Sequence, residues 1–543
     1  MTAHRWPRRF WATLVACSLV AAACGGDDDS SDGAAGGAGS EATSGSPAGP
    51  SGDPVRGGRL VLAVGDEATL GLEPWTAVTD VGGATVATTV YDTLAAFDAE
   101  GEAVPYLAES IEPNEDATVW TVKLRDGVKF HDGTDLTAEA ITWAFDHATE
   151  EGRILEEGFT VEAVDPLTAV FTFPEPYVAF PASMASQWAW VVSPTASAEL
   201  GDDFRNQPVG TGPYMFEEWV RDDHITLVRN PDYWRDDVGF VDEVEFRTIP
   251  DDAARRAALL AGDVDGIVVG PADIATLRDE GGVNLYETVG GVSAICFNMD
   301  DETLSDLRVR QALSYAIDVP AVIDTVLGGA GEPATGPLPR DNSYYHEVDY
   351  PTYDPDRATE LLQEYEDDTG NSVEFEFLFG NTPLDQELAQ LLQSYWQAVG
   401  VDVTLGAPLN TGDLQTRRVE HQFDVVTCGM DAVFDPDVWF SLFRSGEYLN
   451  YSNNDDPEID QAINDSRASL DVADREEAYA RLQERLAETL PWFFLSEGVL
   501  AVATQPDVGG VGDWTLPDGS AGTSKQFWLP FTVDSMWIDD SGG

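Results

Sequence analysis

The sequence predicts an α/β protein with two lobes and a third, mixed region. Two stretches each pass from a strand pattern through a helix pattern to a second strand pattern, at Val241–Gly270 and Val373–Gly406. Such a strand–helix–strand unit allows parallel pairing, so each stretch predicts one lobe in which helices cover a sheet. The mixed region, residues 81–207, has further strand patterns at Thr118–Phe130 and Thr168–Pro176.

The individual elements follow from residue spacing. Short β-branched or alternating runs predict strands at Gly58–Gly65, Val241–Ile249, Val373–Gly380 and Val401–Gly406. Apolar residues at helical spacing behind acidic starts predict helices at Asp251–Asp263, Asp385–Gly400 and Asp474–Leu490. Gly400 stands where a glycine commonly follows a helix C-terminus.

The N-terminus predicts export. Three arginines precede the apolar run Phe10–Ala23, which gives the basic and hydrophobic regions of a secretory signal. The small residues before Cys24 resemble the lipobox of bacterial lipoproteins, which implies a signal peptide over residues 1–23 and lipidation of Cys24. A lipobox ending at Cys17 also fits, but it leaves an apolar region of about seven residues, the lower limit for a signal. Without lipidation, the leader is a simple cleaved signal and the protein is still exported.

Residues 24–58 predict a flexible tether. Gly25–Gly58 is rich in Gly, Ser, Ala, Asp and Pro, and its apolar content is too low to offset the entropy lost on ordering. A flexible chain of about 34 residues spans roughly 30 Å. Such a segment can hold a globular body clear of a membrane.

The net charge excludes one class of partner. The chain has 543 residues and a formal net charge of -69 at pH 7. So acidic a surface repels DNA, RNA and anionic lipid headgroups. Solubility in a salty or acid-rich extracellular setting accounts for the acidity, and steering of cationic ligands is the alternative.

The sequence gives no support for catalysis, a cofactor or a metal site. It contains no G-x-S-x-G motif, and its six histidines show no ligand-like clustering. Beyond the leader, Cys296 and Cys428 each lie in an apolar, strand-like run. An exported protein permits a disulfide and an apolar run suits a buried free thiol, so both alternatives stay open.

Six stretches, in order, resemble the extracellular solute-binding proteins of family 5, which serve dipeptide, oligopeptide and nickel ABC importers. The stretches are Leu107–Asp146, Gly210–Trp219, Arg229–Trp234, Cys296–Asp318, Tyr353–Leu362 and Asn450–Leu495. The resemblance implies a class II periplasmic-binding-protein fold, in which crossing hinge strands join two lobes and an extra domain is inserted. It implies a discontinuous lobe I at 59–80, 208–292 and 483–543, an inserted domain II at 81–207, and a lobe III at 293–482.

The resemblance also implies a function. A monomeric, lipid-anchored receptor on the outer face of the cell membrane would capture a small solute, above all a short peptide, and deliver it to an ABC permease with its cytoplasmic ATPases. Within the same fold, the alternatives are an oligosaccharide or a nickel complex, for which His346 and His421 are the candidate ligands. In a different class, the alternatives are a secreted hydrolase and a structural envelope lipoprotein.

The candidate anchor for a peptide lies in Cys428–Phe440, the segment that matches the family's ligand-binding loop. Family members commonly have a tryptophan after the glycine, where this chain has Met430, and an aspartate shortly afterwards. The resemblance therefore implies that Asp431 meets the amino terminus of a peptide, with Asp435 as a second candidate for that role and Met430 as a further ligand-binding candidate. A solvated loop is the alternative for both acids.

Four further residues are candidates for the cleft. Arg340 could meet a carboxylate, because its forked donors match one well, although an ordinary surface arginine is the alternative. Trp75, Trp188 and Trp439 could line the cleft, as aromatic side chains often do in ligand pockets, or could belong to the core.

Overall fold

The structure is a computed structural model that describes residues 50, 52–68, 71–74, 81–150, 158–186, 189–524 and 531–539. The predicted leader, Cys17, Cys24 and most of the predicted tether lie outside these residues, as do Trp75 and Trp188. No helix in the described part of the chain is long and apolar enough to cross a membrane.

The described residues alternate strands and helices along the chain, as predicted. The strands are β1 Arg59–Val64, β2 Ala95–Asp98, β3 Ala103–Pro105, β4 Ala108–Pro113, β5 Val119–Leu124, β6 Thr160–Asp165, β7 Thr168–Thr172, β8 Tyr214–Val220, β9 His224–Arg229, β10 Glu243–Thr248, β11 Gly266–Val269, β12 Asn284–Phe297, β13 Gly331–Pro333, β14 Glu374–Leu378, β15 Asp402–Leu405, β16 Val425–Asp431, β17 Trp492–Thr504, β18 Val508–Gly509, β19 Gly522–Ser524 and β20 Trp537–Ile538. The helices are α1 Val81–Val90, α2 Ala138–Glu150, α3 Phe180–Met184, α4 Pro194–Leu200, α5 Asp252–Ala261, α6 Pro271–Glu280, α7 Leu307–Tyr315, α8 Val319–Val326, α9 Pro355–Thr369, α10 Pro383–Ala398, α11 Thr411–Val419, α12 Asp437–Phe440, α13 Pro457–Ala468 and α14 Val472–Thr489.

Two long antiparallel strands join the halves of the largest sheet, whose order is β15-β14-β16-β12-β17-β11-β1-β10-β9-β8. Strands β12 and β17 pair from Asn284 opposite Thr504 to Cys296 opposite Trp492. Strand β16 pairs with the C-terminal part of β12, and β11 pairs with the C-terminal part of β17. Each long strand therefore runs from one half of the sheet into the other.

Each half of the sheet has its own buried core. The second-lobe core combines β14, β15 and β16 with helices α7 to α14, including Trp396 and Trp492. The first-lobe cores pack around β1, β10 and β11. A separate insert core forms between β2 and α3, around a four-stranded sheet of order β4-β5-β7-β6.

Both predicted strand–helix–strand units form, but they pair differently. Strands β14 and β15 are parallel neighbours, with Glu374 opposite Asp402. Strands β10 and β11 are each parallel to β1, which lies between them. Strand β1 comes from a separate segment near the start of the folded body. The residue spacing within the unit therefore does not reveal that β1 lies between β10 and β11.

Two features cross the predicted domain boundaries. Residue 483 lies inside α14, where Leu482 and Leu486 share the second-lobe core. Strand β19 pairs with β2, and Trp514 and Leu516 belong to the insert core, so the C-terminal segment also contributes to the inserted domain. The division into discontinuous lobe I, domain II and lobe III stays a prediction.

The two cysteines of the folded body are bonded to each other. A disulfide joins Cys296 on β12 to Cys428 on β16, and both side chains are buried in the second-lobe core. It ties the strand that ends at Asp431 to one of the two crossing strands.

Candidate functional site

A cavity of about 480 Å³ lies between the inserted domain and the second lobe. Its lining residues include Phe97, Ala99–Ala103, Val178 and Ala182 from the inserted domain, Asp341–Tyr344, Ala432–Asp435 and Arg475 from the second lobe, and Thr288 and Val289 from β12. The inserted domain, the second lobe and a crossing strand thus contribute to one cavity. We call it the cleft cavity.

Direct contacts join the two walls of the cleft cavity. The rings of Phe97 and Phe434 lie 4.8 Å apart between centroids. The backbone N–H of Val178 donates to the carbonyl oxygen of Arg467 at 3.2 Å, and the Arg467 guanidinium lies 5.2 Å from the ring centroid of Tyr177. The inserted domain and the second lobe are therefore in contact beside the cavity.

Asp431 is the last residue of β16. Side chains alternate along this strand, so Cys428 and Met430 are buried whereas Gly429 and Asp431 are exposed. Opposite Asp431 on β12 lies Gly291, at φ +127°, where an added Cβ would lie 2.2 Å from the carbonyl oxygen of Met430. Only a glycine allows the two strands to approach this closely here.

The carboxylate of Asp431 is unpaired. Within the described chain, no residue donates a hydrogen bond to it or forms an ion pair with it. Part of its side chain is exposed to solvent. The surrounding protein removes the rest of its hydration, which raises the pKa of Asp431 to about 6. Asp431 directly precedes the lining segment Ala432–Asp435, so an unpaired acid lies at the edge of the cleft cavity, where it can receive a cation from a ligand.

Trp439 supports Asp431. It lies on α12, half-buried, and its indole Nε1 donates to the backbone carbonyl of Asp431 at 3.2 Å. Its ring packs against both the second-lobe core and the insert core. The structure therefore brings these two predicted site residues together.

Asp435 lies in the cavity wall but already has partners. Its carboxylate accepts from Arg475 Nη2 at 2.8 and 2.9 Å and from the Tyr479 hydroxyl at 3.2 Å. The side chains of Asp435 and Arg475 are only 13% and 10% exposed. This pair is part of the wall of the second lobe.

The side chains of two other predicted residues are already engaged within the protein. Met430 is buried in the second-lobe core, because alternation along β16 points it away from Asp431. Arg340 lies between cavity-lining residues, but its Nη1 donates to Glu497 at 3.0 Å and its Nη2 to the Pro333 carbonyl at 2.9 Å. Its charge is thus held by an acid of β17.

The structure also reveals wall residues that sequence reasoning missed. Glu100 and Glu102 lie in the turn between β2 and β3, and Asp341 and Tyr344 lie in the loop after β13. The acidic turn after Phe97 was visible in the sequence, but acids are so common in this chain that nothing distinguished these from surface residues.

The two histidines weighed as nickel ligands have other partners. His346 Nε2 lies 3.2 Å from Glu484, and His421 Nε2 lies 3.1 Å from the carbonyl oxygen of Asn450. Neither residue is part of the cleft-cavity lining.

Comparison with known proteins extends these observations. The family model of bacterial extracellular solute-binding proteins, family 5 Middle, matches residues 102–450. The glutathione-binding protein GsiB of Pectobacterium atrosepticum is 29% identical over 480 residues, covering 84% of this chain and 92% of that protein. GsiB of Escherichia coli K12 is 28% identical over 477 residues, with the same coverage.

Solved structures agree with the predicted fold. The binding protein AgaA of A. tumefaciens R10, in complex with agropinic acid, has a TM-score of 0.78 and 26% identity, covering 89% of this chain and 99% of that one. DppA of Helicobacter pylori, in complex with the peptide STSA, has a TM-score of 0.78 and 23% identity, covering 90% and 99%. The class II binding-protein fold is confirmed. With more than half of its length matched by the family model, this chain belongs to the bacterial extracellular solute-binding proteins, family 5.

Proposed function

We propose that this protein is an exported, lipid-anchored receptor that captures a short peptide in the cleft cavity and delivers it to an ABC import permease. The observation that carries the proposal is the unpaired carboxylate of Asp431, which lies beside a cavity between the inserted domain and the second lobe. The amino terminus of a peptide supplies the cation that Asp431 lacks, and the charge-assisted hydrogen bonds that result are among the stronger ones in proteins.

The dimensions of the cavity support a small ligand. Its volume of about 480 Å³ is within the range of ordinary ligand pockets, roughly 300–1,000 Å³. Because the walls come from different parts of the fold, a ligand that touches both stabilises the closed arrangement over an open one. Recognition of the closed arrangement by a permease then couples capture to transport.

A thermal-shift screen of the purified full chain tests the ligand class. The probes are pools of dipeptides to pentapeptides, nickel with and without histidine, and oligosaccharides. A ligand that binds only the folded state raises the melting temperature. We expect a shift with peptides that is lost in Asp431→Ala. A shift only with nickel or sugars would overturn the peptide proposal and retain a receptor, whereas no shift with any pool would overturn the receptor.

The anchor is tested separately. Residues 1–23 are proposed as the leader and Cys24 as the lipidated residue, which requires a thioether-linked lipid on that sulfur. Metabolic labelling with a fatty acid should mark the wild-type protein but not Cys24→Ser, and the variant should appear in the medium. Labelling that is instead lost in Cys17→Ser would move the anchor to that residue.

A further inference from the structure

The walls of the cleft cavity carry acids that have no cationic partner. Glu100 and Glu102 reach it from the inserted domain, and Asp341 from the second lobe. None of the three forms an ion pair within the described residues, and all three are exposed. Asp431 is not a lining residue, but it directly precedes the lining segment Ala432–Asp435. Four acids without a cationic partner among the described residues therefore lie in the cavity wall or next to it.

Among the described residues, the cations in the cavity wall and at its margin are already engaged. Arg475 is the only cationic side chain among the described residues that line the cavity. All three of its guanidinium nitrogens donate to protein, to the Ser466 carbonyl, the Tyr344 hydroxyl, and the Asp435 carboxylate with the Tyr479 hydroxyl. Arg340, at the margin, is held by Glu497.

Acids on both walls of the cavity affect the pKa of one side chain, Tyr344. Tyr344 hydrogen-bonds to Arg475 on the second-lobe side, and Glu102 lies on the insert side. Burial raises the pKa of the Tyr344 hydroxyl to about 12, and the charges of Asp435 and Glu102 contribute to the increase, although Arg475 opposes it. Glu102 of the insert wall is thus one of the charges that act on a side chain of the second-lobe wall.

We infer that the ligand carries a net positive charge, with a second cationic group besides the amine that meets Asp431, and that it needs no free carboxylate. This inference rests on the proposed function. A basic side chain in the cavity would have Glu100, Glu102 and Asp341 as unpaired acids in the wall, whereas a carboxylate would find no free cation among the described lining residues. Unpaired like charges at a binding surface reject the wrong partner.

The cationic ligand inferred for this chain differs from glutathione, the ligand for which relatives are named. GsiB of Pectobacterium atrosepticum is a glutathione-binding protein, and glutathione has two carboxylates and one ammonium group. The described residues of the cleft cavity offer a glutathione molecule an acid for its amine but no free cation for either carboxylate. We therefore expect glutathione to bind this protein poorly.

Isothermal titration of the purified full chain with matched tripeptides tests the inference. The probes are Ala-Lys-Ala, its C-terminal amide, Ala-Ala-Ala, Ala-Glu-Ala and glutathione, at neutral pH and low salt. We expect Ala-Lys-Ala to bind at least about tenfold more tightly than Ala-Glu-Ala, the amide to bind at least as tightly as the free acid, and the preference to shrink in high salt.

Variants in which glutamine replaces glutamate test whether Glu100 and Glu102 set the preference for a cationic ligand. In Glu100→Gln/Glu102→Gln, the ratio of the Ala-Lys-Ala and Ala-Glu-Ala affinities should fall by about threefold or more. Glu112→Gln/Glu115→Gln is the matched control, since it also removes two negative charges and both acids are exposed and outside the cavity lining. It should leave the ratio unchanged.

The outcomes distinguish the inference from the proposed function. Tight binding of Ala-Glu-Ala or glutathione, or a strict requirement for the free carboxylate, would overturn the cationic preference while retaining a peptide receptor. An equal loss of preference in Glu112→Gln/Glu115→Gln would also overturn it, because the effect would then reflect net charge alone. No binding of any probe would overturn both.

Discussion

The end of β16 and the turn that follows it each carry an aspartate, four residues apart, but in different electrostatic surroundings. Asp431 has no partner in the described structure and has a pKa of about 6. Asp435 accepts two hydrogen bonds from Arg475 and one from Tyr479. One acid is thus available to a ligand, whereas the other stabilises the wall beside it.

The difference between the two acids comes from distant parts of the chain. Arg475 reaches Asp435 from α14, forty positions further along the sequence. Asp431 instead faces the crossing strand β12 at Gly291, which has no side chain to offer. The same residue type in one loop can therefore have a structural or a binding role, depending on what the fold places opposite it.

The largest expected effect comes from breaking the ion pair between Asp435 and Arg475. In Arg475→Met, the nearly buried carboxylate of Asp435 loses its cation, which should lower the free energy of unfolding by about 3–5 kcal/mol. Urea unfolding followed by tryptophan fluorescence measures the change. The double variant Asp435→Asn/Arg475→Met should recover a large part of it. A loss below about 1 kcal/mol in the single variant would contradict the role given to this pair.

The second prediction concerns the disulfide that holds β16 against β12. It closes a loop between residues 132 positions apart, so Cys296→Ser/Cys428→Ser should lose about 2–4 kcal/mol of stability. Urea unfolding with and without reductant measures the effect. Reductant should destabilise the wild type once unfolding exposes the bond, and should not affect the variant. Equal sensitivity of both proteins to reductant would argue against the bond.

Much of the fold could be predicted because it depends on local spacing. The strand and helix at Glu374–Leu378 and Pro383–Ala398 follow directly from alternating and helical patterns. The position of β1 between β10 and β11 could not be predicted, because it depends on pairing between distant segments. Likewise, the family pattern pointed to Asp431 but gave no sign that Met430 is buried, which depends on the register of β16 against β12.

The third prediction tests the binding side of the comparison. Asp431→Asn should weaken the binding of a peptide amine by about 10- to 100-fold, since hydrogen bonds to charged groups contribute about 1.5–3 kcal/mol. Titrating the wild type and the variant with a free peptide and with its N-acetylated form gives four affinities, which form a double-mutant cycle. Acetylation should weaken binding to the wild type but not weaken it further in the variant. Additive losses would show that Asp431 does not meet the amine.

The fourth prediction is the pH dependence of that binding. The carboxyl of Asp431 has a pKa of about 6 without ligand, so below this pH an incoming ammonium group must displace a proton. The affinity of the wild type should therefore be steady above neutral pH and fall by up to about tenfold per pH unit below 6. The residual binding of Asp431→Asn should be flat over the same interval. A wild-type affinity that stays constant down to pH 5 would contradict a role for this carboxylate.

The smallest expected effect is on the stability of the unliganded protein, and its sign distinguishes the two acids again. In the unfolded chain, the Asp431 carboxyl has its ordinary pKa of 3.8, which is below the folded value of about 6. The folded protein therefore binds this proton more tightly, so the cost of the ionised carboxylate is absent below about pH 4 and complete above about pH 6. Asp431→Asn should leave the melting temperature unchanged at pH 4 and raise it by roughly 1–2 °C at pH 8. Glu115→Gln, which removes one exposed acid outside the cleft, is the control for the change in net charge. A loss of stability at pH 8 would mean that Asp431, like Asp435, has a partner within the protein.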